Sequence, residues 1–376
     1  MKEDNIKELI HKINEVGYIY TPLNLCDQMI NSLPNLEGDI LVIRNIEFVY
    51  MLYTKNIDMS RVYYSTDCEI KKKIAIHLGI KENYITNLTY NIDTEMKFDV
   101  VIQNPPYNPN SIWKKFVEKG ISLLKDDGHM VAIHPSLWRE STKYKNIFNI
   151  LKQGIKQLHI KDQTAFPDIG IQTDWYCYCK NYNNEQKIIY PNGNIQTVDI
   201  RNQDIIYKIE QNSIISNIIT KITTDKDNGI IELKGFDPLY NCHIDNGQYK
   251  QCGIKGNGTG WTIGNFGLTD IPSKYQFDNK IIFSYAGKPR AQYFAKEQEV
   301  GILLGFLLLT DNNKIVNLIN SKMIWKIMIN IAYKNMNHLP LNFLKKLNLT
   351  NFNCDNEEEI YLHYNLTTEE IEWIEL

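Results

Sequence analysis

Two kinds of hydrophobic pattern alternate along the chain up to Cys179. Short continuous apolar runs predict strands buried on both faces of a parallel sheet, and apolar residues spaced three or four apart predict amphipathic helices. The predicted strands are Gly38–Ile43, Arg61–Asp67, Tyr84–Asn91, Val100–Ile102, Met130–Ile133, Lys156–Ile160 and Trp175–Cys179. Because strand and helix alternate, the sequence predicts an α/β fold with a doubly wound, mostly parallel, seven-stranded sheet.

The pattern changes in the second half of the chain. Glycine, asparagine and aromatic residues crowd between Gly235 and Gly267, and periodicity is poor there, which predicts short strands and long loops. We therefore predict a first domain at residues 1–184 and a second, mixed α+β domain at residues 185–350. An acidic C-terminal segment, residues 351–376, is predicted to pack on the second domain.

The fourth predicted strand ends in Asn104-Pro105-Pro106-Tyr107. Proline cannot continue a strand ladder, so the strand stops here and a rigid loop lies at its carboxyl end, where open α/β sheets bind their ligands. An Asn side-chain oxygen and a proline-fixed carbonyl can both accept hydrogen bonds from an NH2 group, and a tyrosine can stack on a planar group. Such a loop suits methyl transfer to an amino group conjugated with a ring.

This tetrapeptide, following Phe-Asp-Val-Val-Ile, resembles the catalytic motif of S-adenosylmethionine-dependent DNA adenine (N6) methyltransferases of type II restriction–modification systems. The resemblance implies a Rossmann-like methyltransferase fold, S-adenosylmethionine as cofactor and a flipped-out adenine as substrate. It implies double-stranded DNA as a partner, with a cognate restriction endonuclease as a further one. It also makes Phe166 a candidate to pack on the flipped base.

Tyr20-Thr21-Pro22 precedes an apolar helix. Thr21 is predicted to be the N-cap of that helix, with Pro22 in its first helical position. A Tyr-x-Thr-Pro-like segment here also resembles the part of the family that contacts the methionine end of the cofactor. The resemblance implies that Thr21 holds the carboxylate of the cofactor.

The segment after the first strand departs from the family pattern. Arg44–Phe48 lacks glycine, whereas the family has Asp/Asn-Pro-x-x-Gly-x-Gly. There are two alternatives. The cofactor is held in another way, by Asn45, Glu47 and the N-terminus of the following helix, or cofactor binding is weakened or lost.

Asp67 follows the second predicted strand, and its carboxylate suits the ribose hydroxyls of the cofactor. The resemblance makes Asn87 and Asn91 alternative partners for the adenine amino group of the cofactor.

Basic residues of the second domain are candidates for contacts with DNA. Lys288, Arg290 and Lys334 lie in a region rich in asparagine, glutamine and aromatics, which fits phosphate contacts combined with base reading. The region resembles the target-recognition region of the same methyltransferases. A net charge of −3 does not exclude this function, because a local basic face is sufficient.

Composition favours an ordinary globular protein of the cytoplasm. Of the 376 residues, 43% are hydrophobic and 23% are charged, and no run of eighteen apolar residues predicts a membrane span. The N-terminus lacks a signal-peptide pattern. Seven cysteines without metal-ligand spacing predict reduced thiols and no metal site.

Two other functions stay open. The first is a protein-glutamine or RNA amino-methyltransferase, because the lone pair of an amide or base nitrogen is delocalised in the same way and makes that nitrogen a poor nucleophile. The long segment after Tyr107 argues against a small peptide substrate, which needs less protein to bind it. A catalytically inactive relative that still binds DNA is favoured by the glycine-less segment after the first strand. The intact Asn104–Tyr107 motif favours an enzyme over that binding protein.

Overall fold

The chain divides into two compact units, Met1–Lys208 and Ile209–Leu376. The computed structural model describes residues 3–13, 19–87, 95–107, 112–139, 144–161, 166, 172–203, 205–210, 213–233, 247–252, 266–269, 272–283, 290–302, 305–331 and 340–376. The predicted candidates Asn91, Lys288 and Lys334 lie outside these residues.

The first unit contains strands and helices that alternate along the chain. The strands are β1 (Ile40–Ile43), β2 (Val62–Ser65), β3 (Ile85–Thr86), β4 (Phe98–Gln103), β5 (Leu124–Pro135), β6 (Ile155–His159), β7 (Thr173–Cys179), β8 (Gln186–Ile189) and β9 (Ile195–Val198). The helices are α1 (Glu3–His11), α2 (Leu23–Asn31), α3 (Ile46–Thr54), α4 (Glu69–His77), α5 (Trp113–Ser122) and α6 (Lys145–Gly154). The strands form one sheet in the order β3-β2-β1-β4-β5-β7-β6-β8-β9.

Both faces of this sheet are covered, as the continuous apolar runs predicted. Along β1, Ile40 and Val42 belong to one core with residues of α2, α3 and α4, whereas Leu41 and Ile43 belong to the other core with residues of α5 and α6. Strands β1 to β5 pair in parallel, and β7 pairs antiparallel with both β5 and β6. The first unit is therefore an α/β domain with a mostly parallel, doubly wound sheet.

The sheet is wider than the seven strands predicted. Strand β8 pairs parallel to β6, and β9 pairs antiparallel to β8, so nine strands of the described residues form it. These two strands continue the sheet past residue 184, and the first unit extends to Lys208. The apolar pattern missed them because neither is a continuous buried run. Buried and more exposed positions alternate along β8, and every residue of β9 is at least partly exposed.

The second unit combines short strands with helices. The strands are β10 (Ile231–Leu233), β11 (Tyr249–Cys252), β12 (Phe266–Thr269), β13 (Lys280–Phe283), β14 (Ala291–Phe294), β15 (Val300–Ile302) and β16 (Gly305–Leu309). The helices are α7 (Ile214–Ile222), α8 (Ile315–Asn320), α9 (Lys322–Ile331), α10 (Leu341–Lys345), α11 (Glu357–His363) and α12 (Thr368–Glu375). Strands β10, β16, β13 and β14 form one sheet, and β12, β11 and β15 form another.

The acidic C-terminal helix α12 is joined to other helices of the second unit by ion pairs. Glu370 accepts from Lys221 of α7 at 2.7 Å, and Glu375 accepts from Lys322 of α9 at 2.6 Å. Thr367 caps α12, with its side chain accepting from the backbone N–H of Glu370. Among the described residues, no helix has the length and apolar character needed to cross a membrane.

Candidate functional site

The carboxyl ends of β1, β2 and β4 meet at one edge of the sheet. Ile43 at the end of β1 lies beside Ser65 of β2 and Gln103 of β4 in parallel register. The residues that follow these strands, among them Asn45, Asp67 and Asn104, therefore lie along the same edge. This is the edge at which open α/β sheets bind ligands.

Asn104 is held in a definite orientation by the amide end of its side chain. The residue is 2% exposed, and its Nδ2 donates to Oγ1 of Thr21 at 3.0 Å. Its Oδ1 is buried and has no hydrogen-bond partner in the part of the chain that the structure describes. Pro105 and Pro106 are buried beside it. The loop thus contains a buried amide oxygen whose accepting capacity is not used by the described residues.

The aromatic residues Tyr107 and Phe166 lie together, although they are far apart in the sequence. Their ring centroids are 6.1 Å apart at an interplanar angle of 64°, and both side chains are buried. The hydroxyl of Tyr107 has no partner among the described residues, and burial raises the pKa of this phenol well above its usual value. Tyr107 therefore stays protonated at neutral pH.

Thr21 does not cap α2, contrary to the prediction. Pro22 precedes the first residue of α2 in an extended conformation, and no side chain caps that helix end. The hydroxyl of Thr21 instead accepts hydrogen bonds from two amides, Nδ2 of Asn104 at 3.0 Å and Nδ2 of Asn45 at 3.2 Å. The side chain of Thr21 is fully buried, and its hydroxyl connects the residues that follow β1 and β4.

Glu47 makes the surroundings of Thr21 acidic. Its Oε1 accepts from the backbone N–H of Thr21 at 2.8 Å, and the residue is fully buried. The pKa values of Tyr20 and Cys26 are both raised, chiefly by burial and secondly by the negative charge of Glu47. The hydroxyl of Tyr20 also lies 3.0 Å from Nε2 of His11. Glu47 therefore favours a cationic group over an anionic one at this point.

The glycine-less segment after β1 makes a tight turn through Arg44. This residue has a φ of 74°, in the left-handed region that favours glycine. Its carbonyl accepts hydrogen bonds from the hydroxyl of Tyr64 at 2.8 Å and from Nζ of the fully buried Lys71 at 3.4 Å. Side-chain contacts thus stabilise a left-handed backbone conformation at Arg44 without a glycine.

The other predicted cofactor residues are more exposed. Asp67 is exposed between β2 and α4, and Asn87 is exposed directly after β3. The backbone carbonyl of Asn87 accepts from Oγ of Ser65 at 3.1 Å, which joins the ends of β2 and β3. The structure thus places Asp67 and Asn87 on neighbouring strand ends.

The sequence analysis missed a buried polar cluster where β5 ends and β7 begins. Nε of Arg139 donates to Oδ2 of Asp174 at 2.7 Å, and both side chains are fully buried. Burial raises the pKa of Asp174 against the lowering effect of Arg139. His134 is stacked on Trp113, and burial lowers the pKa of His134 to about 3. No local pattern connects Arg139 with Asp174, because 35 residues separate them.

In the second unit, the structure describes one of the three predicted DNA contacts. Arg290 is exposed and directly precedes β14. It lies beside the point where the backbone N–H of Ala291 donates to Oδ1 of Asn320. The described part of the unit therefore has an exposed arginine at the start of a strand.

Part of the first unit is similar to a known protein family. Residues 41–169, which include the Asn104–Tyr107 loop, match the model of the Eco57I restriction-modification methylase family. A search among curated proteins found no match.

Similar solved structures include methyltransferases. One is a type I restriction-modification system methyltransferase subunit from Streptococcus thermophilus, with 19% identity over 46% of this chain and 47% of that chain and a TM-score of 0.37. Another is a putative class I S-adenosylmethionine-dependent methyltransferase from Listeria monocytogenes, with 12% identity, 48% and 68% coverage and a TM-score of 0.38. A third is the type I restriction enzyme EcoKI M protein, with 12% identity, 56% and 59% coverage and a TM-score of 0.38. The alignment spans about half the length of the Streptococcus thermophilus subunit.

Proposed function

We propose that this protein is a DNA methyltransferase that transfers a methyl group from S-adenosylmethionine to the exocyclic amino group of a flipped-out adenine, as in type II restriction–modification systems. The observation that carries the proposal is the state of the Asn104 amide. Its NH2 end is bound by Thr21, while its buried Oδ1 has no partner among the described residues. The match of residues 41–169 to a restriction-modification methylase family supports the same reaction.

The loop acts on the lone pair of the target nitrogen. Oδ1 of Asn104 and the carbonyl of Pro105 accept hydrogen bonds from the two N–H groups, which favours a tetrahedral nitrogen with an available lone pair. That lone pair forms the new N–C bond while the C–S bond breaks and its electrons remain on sulfur. The surplus proton on nitrogen passes to water. Tyr107 and Phe166 hold the planar base in place by packing on it.

The residues at the sheet edge fit S-adenosylmethionine, which supplies the electrophilic methyl group when bound. The cofactor carries a sulfonium and an ammonium, and the buried carboxylate of Glu47 suits a cation. Oδ1 of Asn45 is a buried acceptor without a partner among the described residues. Asp67 would accept from the ribose hydroxyls, with Asn87 or Asn91 at the adenine amino group and Tyr20 to Pro22 beside the methionine end.

Double-stranded DNA is the proposed partner, with the second unit reading its sequence. We propose that DNA phosphates are contacted by Lys288, Arg290 and Lys334. Long cationic side chains neutralise the phosphate backbone of DNA without reading its base sequence. A cognate restriction endonuclease is the further partner proposed, and the cytoplasm is the proposed compartment.

The test is methyl transfer from radiolabelled S-adenosylmethionine. Purified protein is incubated with duplex DNA, with RNA or with a peptide extract, and the labelled product is digested and identified by chromatography. We expect label in DNA as N6-methyladenine. Label in another base, in RNA or in glutamine of peptides would contradict the proposal.

The turn at Arg44 favours one other function, a DNA-binding relative without catalysis. The carbonyl oxygen of Arg44 already accepts hydrogen bonds from the buried side chains of Lys71 and Tyr64. The segment after β1 also has no glycine that would let a cofactor come close to the backbone. Calorimetry with S-adenosylmethionine separates the two functions. Absence of cofactor binding together with a retained mobility shift of DNA would favour the binding protein.

A further inference from the structure

Thr21 links the two amides that line the edge of the sheet. Its Oγ1 accepts from Nδ2 of Asn104 at 3.0 Å and from Nδ2 of Asn45 at 3.2 Å, and its backbone N–H donates to Glu47 at 2.8 Å. We propose that Thr21 is a positioning residue, whose hydroxyl oxygen holds the NH2 end of Asn104 so that Oδ1 faces the target amino group. This inference rests on the proposed function.

The orientation of the Asn104 amide decides whether the loop can act. The two ends of an amide are almost equal in size but opposite in chemistry, since the oxygen only accepts and the NH2 only donates. A reversed amide would present an NH2 group to the NH2 group of the base, and no hydrogen bond would form between them. A fixed acceptor outside the substrate is therefore needed to hold the amide.

Asn45 supplies one of the two donors that the Thr21 hydroxyl oxygen receives. The carbonyl of Ile19 can only accept, and Nδ2 of Asn45 donates to it at 3.0 Å, so the orientation of the Asn45 amide is determined by this contact. The same NH2 group donates its second hydrogen to Oγ1 of Thr21. A hydroxyl oxygen has two lone pairs, and the second one receives the NH2 group of Asn104.

The geometry argues against the role in carboxylate binding that the resemblance implied for Thr21. The backbone N–H of Thr21 already donates to a carboxylate, that of Glu47. A second carboxylate brought to this point would lie beside the buried carboxyl group of Glu47. The side chain of Thr21 is also fully buried.

Two substitutions in the full-length protein separate these roles. Thr21→Val keeps the shape of the side chain and removes the hydroxyl, whereas Thr21→Ser keeps the hydroxyl. We expect Thr21→Val to lower kcat on duplex DNA about 100-fold or more, with the KM for S-adenosylmethionine changed less than about threefold. We expect Thr21→Ser to stay within about tenfold of the wild-type kcat. A Thr21→Val protein with raised KM for the cofactor and unchanged kcat would overturn the inference.

A measurement without turnover distinguishes this inference from the proposed function. In protein labelled with ¹⁵N-asparagine, the side-chain NH2 signals of Asn104 are assigned by their loss in Asn104→Ala. We expect a nuclear Overhauser contact between these protons and the Thr21 side chain in the wild-type protein. Its absence overturns the positioning role even if Thr21→Val does not fold. Its presence in a protein that methylates no DNA supports the positioning of the amide and contradicts the proposed function.

Discussion

Asn104 lies among buried polar atoms that have no partners within the described residues. They include its own Oδ1, Oδ1 of Asn45 and the hydroxyl of Tyr107. Each buried polar group without a partner costs the folded protein about 1–3 kcal/mol. All three belong to residues that follow β1 or β4 or lie in the loop after β4.

Replacing Asn104 with alanine tests the central contact. We expect Asn104→Ala to reduce kcat by a factor that corresponds to about 3 kcal/mol or more of transition-state stabilisation, because the acceptor for the target amino group is lost. Methyl transfer under saturating cofactor measures this, with Asn184→Ala, an exposed asparagine, as the control. An Asn104→Ala enzyme with wild-type turnover would show that the amide does not take part.

His134 gives the first unit a pH-dependent stability. Its Nε2 lies 3.0 Å from the hydroxyl of Tyr176, and burial lowers its pKa from 6.5 to about 3. Between these values the unfolded chain binds a proton at His134 and the folded chain does not. The free energy of unfolding therefore falls as pH decreases below about 6.5, by up to about 1.4 kcal/mol per pH unit.

Urea unfolding between pH 7 and pH 5 measures this effect. We expect His134→Gln to be less stable than wild type at pH 7 but to lose less stability on acidification. His77→Gln, a change at an exposed histidine, is the control and should keep the wild-type slope. An unchanged slope in His134→Gln would contradict the assignment.

At the scale of elements, helix α6 ends directly against strand β7. Gly154, the last residue of α6, is buried there. A Cβ atom at this position would collide with the ring of Tyr178 and lie 2.8 Å from the carbonyl oxygen of Cys179. The contact needs a glycine for its small size, because a backbone carbonyl cannot move aside as a flexible side chain can.

Gly154→Ala should therefore destabilise the first unit by about 1–3 kcal/mol, the usual effect of overpacking. The measurement is the free energy of unfolding in urea at neutral pH. Gln153→Ala changes the neighbouring exposed residue of the same helix and should leave this free energy nearly constant. If Gly154→Ala and Gln153→Ala had the same free energy of unfolding, α6 could move away from β7 with little loss of stability, and the prediction would be wrong.

At the scale of the whole molecule, the chain combines a sheet domain, Met1–Lys208, with a second unit of short strands and helices, Ile209–Leu376. The net charge of −3 includes the acidic helices α11 and α12 at the C-terminus. Binding to a polyanion must therefore depend on local cationic groups and should weaken steeply as salt screens them.

Of the three predicted DNA contacts, Arg290 lies within the residues that the structure describes, and substituting it tests this salt dependence. If it contacts a phosphate, Arg290→Ala should weaken DNA binding equally for all sequences and reduce the slope of log affinity against log salt by about one. Mobility shifts between roughly 50 and 200 mM salt measure the slope. Lys226→Ala, at an exposed lysine of the same unit, is the control. An unchanged slope in Arg290→Ala would remove Arg290 from the interface.

Most of the first unit could be predicted from local patterns. The continuous apolar runs predicted β1, β4 and the central part of β5, because a strand buried on both faces needs apolar residues throughout. Proline after Asn104 predicted where β4 ends. Strands β8 and β9 escaped prediction, since each has four residues and neither is a continuous buried apolar run.

The sequence by itself determined that an Asn-Pro-Pro-Tyr loop follows a buried strand, because both features depend on adjacent residues. Only the tertiary structure decided what holds that loop. Thr21 reads locally as a helix cap, yet its amide partners are 24 and 83 residues away. Hydrogen bonds between distant side chains depend on how the strands are arranged in the sheet, and the order of residues along a single segment does not contain that information.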